Sequence, residues 1–354
     1  GRVVEVAIAH DLDHPEAYCN EDALFLDLDQ CPKNGYNDHA NFISVSDMTL
    51  DKLPVEIRRQ DVLNYIMAQC KMTVRVLVNW TSKNRPDGDP CANYRDSRRT
   101  RTASGTYVLD NAENFVSRDC PIPNCHRAKD LGPRHTIYEG DLKIFTNKHV
   151  LYDDDELART VVDFFYDSPN RTGVIREYAI KLFYTKPSSD KTFFKVTIHD
   201  QELFRRLEKY DLDRAAAFHI LSPLVVKSMC SFAILISHPH GLPKKISIGR
   251  VLEITEENVT EETMENARLA GQLERQWFIS HREEDYGKYM ACLGQKNLPV
   301  YKVMYDTPTC QGSSGAPVLS GGRECNGQWG PFMANHSAYD MDSNLNFMKV
   351  VMFA

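Results

Sequence analysis

From Met72 the segment "MTVRVLVNW" alternates polar and apolar positions and is rich in β-branched residues, the pattern of a β-strand. The same texture returns in "GTYVLD", "DLKIFTNKHVL", "TVVDFFYD", "REYAIKLFY" and "TFFKVTIHD". It returns again in "SFAILISHPHGLPKKISIGRVLEI", which reads as two strands around a His-Pro-His-Gly turn, and in "LPVYKVMYD", "APVLSG", "PFMANHSAY" and "NFMKVVMFA". Turn signals separate these runs, and "NRPDGDPCANYRDSRRTRTASG" reads as a long loop. Many short strands with turns between them predict an all-β sandwich or barrel.

Helical spacing is rare. Leu53, Ile57, Val62 and Ile66 recur at rough helical intervals and predict a short helix closing an acidic, polar N-terminal stretch. The strongest helical pattern covers Glu256 to Trp277, with Val259, Thr263, Ala267, Ala270, Leu273 and Trp277 on one face and an acidic first turn. The expected organisation is an extension over 1–70 and two β units over 71–222 and 223–354.

At 354 residues, 42% apolar and 26% charged, the composition is that of a globular protein with a normal core. The net charge of −7 argues against a general nucleic-acid binder, which is usually basic. No apolar run is long enough for a membrane helix. Ten cysteines are too sparse for a disulfide scaffold. No leader peptide is visible after Gly1, and the reading leans towards an intracellular protein.

Chemistry concentrates in "CQGSSGAPVL". Acyl transfer by serine needs a base, a carboxylate to orient it, and backbone donors for the oxyanion. The candidates occur in the order His149 ("FTNKHVL"), Asp213 ("YDLDRAAAFHI") and Ser314 ("QGSSGAPV"). Asp211 rivals Asp213, because two positions along a strand return to the same face. Gly312 and Gly315 allow a tight turn in which the amides of Gly312 and Ser314 converge.

These residues carry a resemblance. G-S-S-G-A-P is similar to the G-D-S-G-G-P signature of chymotrypsin-fold serine peptidases, "TNKHVL" to their histidine segment, and "DLDRAAAFHI" to their aspartate-bearing strand. The resemblance spans roughly 72–354 and implies two six-stranded antiparallel β-barrels with the site between them. Pro317, three residues on, selects Ser314 over Ser313 as nucleophile. Ser313 stands where zymogen-activated members carry an aspartate, so the likeness is to the non-zymogen branch, HtrA-like or cytosolic trypsin-like.

By the same resemblance, Ser337, Ala338 and Tyr339 wall the primary pocket, with Pro308, Thr309 and Gln311 at its base. Pro308 stands where trypsin-like members hold an acid, so an apolar or aromatic preference is expected rather than cleavage after Arg or Lys. The implied partner is a polypeptide substrate. No cofactor, metal, nucleic acid or membrane is implied, and the oligomeric state stays open. The other reading is a catalytically inactive binding or scaffolding module on the same fold. The resemblance also makes Cys325 a conceivable disulfide partner for Cys310.

Three further clusters have less specific readings. Cys120, Cys125, His126 and His135 are zinc-ligand types, but the spacing matches no established motif, so free thiols come first and a disulfide second. The run Asp153 to Glu156 reads as a solvated loop, with an acidic rim to the site as the sharper alternative. Arg98, Arg99 and Arg101 read as surface charge in a flexible loop.

Overall fold

The computed structural model describes residues 4–5, 13–15, 18–20, 39–89, 91–110, 116–122, 125, 127–139, 141–186, 190–257, 300–325, 328–340 and 345–351. In chain order its regular elements begin with β1 (Val4–Glu5), β2 (Asp13–Pro15), β3 (Tyr18–Asn20), β4 (Ile43–Ser44) and α1 (Gln60–Met72). Next come β5 (Thr73–Val78), β6 (Thr100–Asp110), β7 (Val116–Asp119), α2 (Ala128–Leu131), β8 (Thr136–Glu139) and β9 (Asp141–Thr146). Then α3 (Asp154–Leu157), β10 (Thr160–Phe164), β11 (Ile175–Lys186), β12 (Lys191–Val196), α4 (Gln201–Ile220) and α5 (Pro223–Met229). The last six are β13 (Phe232–Ser237), β14 (Lys245–Glu257), β15 (Val300–Tyr305), β16 (Pro317–Cys325), β17 (Gln328–Asp340) and β18 (Leu345–Val351).

Two antiparallel barrels result, each closed with six strands. The first runs β6-β5-β10-β11-β12-β9 and returns to β6; the second runs β13-β16-β17-β18-β15-β14 and returns to β13. Closure removes the open edges that a flat sheet would leave unpaired. The all-β expectation and the two six-stranded barrels are therefore met.

The apolar runs find their reasons in two-sided burial. Ala233 and Leu235 of β13 face the interior of the second barrel with Val303, Tyr305 and Val318. Phe232, Ile234 and Ile236 face the other way, against Ile57, Val62 and Ile66 and against Val225 and Met229 of α5. A strand buried on both faces is continuously apolar rather than alternating. The α1 segment is thus packed onto the second barrel. In β5, by contrast, Val74, Val76 and Val78 enter the first core while Arg75 turns away, buried, to Asp163.

The long loop expected up to Gly105 ends earlier, because β6 already starts at Thr100. Arg101 is consequently no surface charge: it is 0% exposed and its guanidinium lies 2.7 Å from Glu156. Apart from Glu256 and Glu257, which close β14, the helix expected to Trp277 lies outside the described residues. Among the described residues, no helix is long and apolar enough to cross a membrane.

Candidate active site

β9 ends at Thr146, and the turn that follows carries His149 into the space between the barrels. Ser314 lies on the turn before β16 in the second barrel. His149 Nε2 is 2.8 Å from Ser314 Oγ. On its other side, Nδ1 is 2.8 and 2.9 Å from the two carboxylate oxygens of Asp190. A carboxylate only accepts, so Nδ1 carries the proton, and the bare Nε2 accepts from the serine hydroxyl.

Asp190 was not anticipated; Asp213 was, and the structure corrects it. "DLDRAAAFHI" belongs to the 20-residue helix α4, not to a strand. Asp200 caps that helix, accepting from the Glu202 amide, and Leu203, Phe204, Leu207, Asp211 and Arg214 return to its buried face every three or four residues. Asp213 is on the outer face, 2.5 Å from Lys209 Nζ one turn back. Its rival Asp211 is buried but pairs with Arg214 at 3.1 Å.

Asp190 sits just before β12 with φ +46°, a left-handed conformation that aspartate tolerates better than most residues. It is fixed from both ends of its chemistry. Its carboxylate accepts the His149 amide at 3.1 Å, and its carbonyl accepts the Lys148 amide at 3.1 Å. The sequence signal was a lone Asp in the polar turn "KPSSDK" between two apolar strands.

The turn bearing Ser314 has the conformation its glycines foretold. Gly312 has φ +95° and Gly315 φ +81°. A side chain on Gly312 would strike the His238 carbonyl, and one on Gly315 would strike the Ser104 carbonyl. The amides of Ser313, Gly315 and Ala316 donate to Cys310, His336 and Ser313 at 2.9, 3.1 and 2.9 Å. Those of Gly312 and Ser314 donate to no group among the described residues.

The first barrel holds this turn in place. Ser104 of β6 donates its hydroxyl to the Gly312 carbonyl at 2.8 Å and accepts the His238 amide at 2.8 Å. Asn147 Nδ2 donates to the His336 carbonyl at 2.8 Å. Beneath the turn, burial holds the His238 imidazole well below its usual range, so it sits uncharged against Tyr166 with its Nδ1 on the Leu242 carbonyl at 2.9 Å. Burial likewise pushes the Tyr305 phenol up, keeping its proton for the His336 Nδ1 at 2.6 Å.

Behind His149, Glu156 is fully buried against Arg85 and Arg101, and Arg85 also donates to the His149 carbonyl at 3.1 Å. Burial by itself would raise the Glu156 carboxyl, but the two guanidiniums and the Ser82 amide hold it down at about 2. The acidic run is therefore not a solvated loop. Asp153 caps α3, Glu156 is core, and Asp154 and Asp155 alone are exposed.

Of the expected pocket residues, Pro308, Thr309 and Gln311 lie buried on the stretch leading to the Ser314 turn. Ser337 and Ala338 are buried on β17, where the ladder to β18 slips between His336 and Ala338; Tyr339 is also on β17. Thr309 donates to the buried Asn346 at 2.6 Å, and Asn346 in turn donates to the Thr307 carbonyl at 2.7 Å, so Asn346 joins the group unforeseen. Cys310 is not disulfide-bonded; its sulfur lies 3.4 Å from His39 Nε2. Ser313 is buried and takes the Cys310 amide at 3.2 Å.

Two closed barrels with a serine, an imidazole and a carboxylate in line at their junction have the chymotrypsin-type architecture. No protein-family model and no curated protein matches the chain. Among solved structures it is similar to the Rv3671c protease of M. tuberculosis in its active form, at 12% identity over 85% of this chain and 82% of that one, with a TM-score of 0.37. The inactive form of the Rv3671c protease gives 11% identity over 84% and 89%, with a TM-score of 0.36. The HtrA-type protease AlgW with a decapeptide gives 11% over 80% of this chain and 62% of that one, with a TM-score of 0.36.

Proposed function

We propose that this chain is a serine endopeptidase with Ser314 as nucleophile, His149 as base and Asp190 as the residue that orients the base. The observation that carries the reading is the His149 ring, held between Ser314 Oγ and the Asp190 carboxylate at hydrogen-bond distance on both sides. Three side chains from three loops meet in the order acyl transfer requires.

In this reading Ser314 Oγ attacks the peptide carbonyl while its proton passes to His149 Nε2. Asp190 holds the ring in the Nδ1–H tautomer and stabilises the imidazolium. The oxyanion takes hydrogen bonds from the Gly312 and Ser314 amides. His149 then returns the proton to the departing amine, leaving an ester on Ser314. Water, deprotonated by the same imidazole, hydrolyses that ester and restores the serine.

The substrate is a polypeptide lying extended along Ser337, Ala338 and Tyr339. None of Pro308, Thr309, Gln311 and Asn346, the residues assigned to the pocket base in this reading, is a carboxylate, which disfavours Arg and Lys and supports an apolar or aromatic residue. A peptide-library digest dominated by cleavage after Arg would refute that preference.

Two observations support a second reading, a latent state of the same site. Ser314 is 0% exposed. In addition, β2 pairs antiparallel with β17 at Ala338, Tyr339 and Asp340, on the stretch assigned to substrate. Labelling by a fluorophosphonate probe decides between the two. Labelling that vanishes in Ser314→Ala and His149→Ala supports the peptidase. A folded chain that never labels supports the latent or scaffolding form.

A further inference from the structure

A second constellation lies where the separate β7–β8 hairpin meets the end of β12. Cys120 follows β7, Cys125 lies in the connection to α2, His135 precedes β8, and His199 follows β12. Each of the four offers one ligand atom, and those atoms all lie within 4.8 Å of one another. Cys125, His135 and His199 are buried, and neither cysteine is in a disulfide. We propose that Cys120, Cys125, His135 and His199 form a structural zinc site.

The imidazoles are oriented as metal ligands are. His199 Nδ1 is 2.5 Å from the buried carboxylate of Glu177, which also accepts the His199 amide at 3.2 Å. His135 Nδ1 donates to the Gly132 carbonyl at 2.9 Å. Both rings thus carry their proton on Nδ1 and turn Nε2 inward. An acceptor on the far nitrogen is the usual outer support of a metal-bound histidine.

What Nε2 meets inside is telling. His199 Nε2 is 3.4 Å from Cys120 Sγ and 3.3 Å from Cys125 Sγ. His135 Nε2 is buried with no hydrogen-bond partner. Leaving a buried acceptor unpaired is costly unless something else fills the role. With Zn–S of about 2.3 Å and Zn–N of about 2.0–2.1 Å, a tetrahedron has S···N edges of about 3.6 Å, close to those seen. Two thiolates and two neutral imidazoles suit zinc above oxygen-preferring cations.

His126, grouped with these residues by sequence proximity, lies outside the described residues. The fourth ligand instead comes from His199, 64 positions beyond His135 and invisible to any local spacing motif. With four protein ligands the site is closed, so its role is to staple rather than to catalyse. It ties the β7–β8 hairpin to the end of β12, where the Tyr138 amide already meets the Ile198 carbonyl at 2.6 Å. β8 leads into β9 and so to His149, while Asp190 lies at the far end of β12.

The test is metal analysis of the purified full chain after equilibration with zinc and gel filtration. One zinc per chain is expected, lost in Cys125→Ser and His199→Ala and retained in Cys230→Ser. A strong chelator should lower the melting temperature of the wild type, and added zinc should restore it. Cobalt exchanged into the wild type should give thiolate charge-transfer and tetrahedral ligand-field bands, which decides the matter even where a variant does not fold. A folded wild type that takes up neither metal, equal zinc in Cys125→Ser, or a Cys120–Cys125 disulfide by mass spectrometry would overturn the site. None of these readouts depends on activity at Ser314.

Discussion

Ser104 of the first barrel donates its amide to the carbonyl of Ser314 in the second at 2.9 Å. The Ser104 hydroxyl meanwhile bridges the Gly312 carbonyl and the His238 amide. One buried serine therefore sets the height of the Ser314 turn against the strand system that carries His149. Ser104→Ala removes two hydrogen bonds and strands a buried amide and a buried carbonyl. A loss of about 1–3 kcal/mol in stability is expected. Chemical denaturation measures it, and the probe-labelling rate of Ser314 should fall as the turn loosens.

Asp190 and Asp213 make a discriminating pair. Asp190→Asn keeps the shape but allows the wrong histidine tautomer, and a fall of about 10⁴-fold in acylation rate is the expected scale. Asp213→Asn touches only an exposed pair with Lys209 and should leave both rate and stability nearly unchanged, within about 0.5 kcal/mol. Comparable losses in both variants would count against the assignment of Asp190.

Glu156 predicts an acid limit. Its folded carboxyl is held at about 2, against a usual value of 4.5, so the folded state favours the charged form. The stabilisation is complete above about pH 4.5 and is lost as pH falls through about 2, because the unfolded chain then binds the proton that the folded chain refuses. Unfolding free energy should decline across that window. Glu156→Gln should flatten the decline and, by taking the Glu156 charge from buried Arg101 and leaving Arg85 with Asp89, cost about 3–5 kcal/mol at neutral pH.

Strand β2 gives a prediction about access. Pairing of His14 with Tyr339 and Asp13 with Asp340 needs backbone donors that proline lacks. The double change Asp13→Pro, His14→Pro should weaken the pairing and raise the rate at which a fluorophosphonate labels Ser314. An unchanged rate in a labelling-competent protein would mean that β2 does not limit access.

Much of the fold was written locally. Strand alternation and the His-Pro-His-Gly turn between β13 and β14 depend on neighbours in sequence, and they read correctly. So did the Ser314 turn, because the positive φ of Gly312 and Gly315 is a local demand that glycine meets most readily; the crowding by the His238 and Ser104 carbonyls, which also bars a side chain there, was not legible. Helix α4 was missed although its period is local, because the likeness to an aspartate-bearing strand outweighed the three-to-four-residue return of Leu203, Phe204 and Leu207.

The remaining decisions belong to the tertiary structure. Asp190 pairs with His149 across 41 positions, Ser314 with His149 across 165, and Glu156 with Arg85 across 71. A charged side chain is read as solvated until its partner is seen, and that is why Arg101 and Glu156 looked like surface. The sequence determined which residue types were present and which backbone turns they permit. Barrel closure determined which of them meet, because only the curvature of the two sheets brings Asp190, His149 and Ser314 to one point.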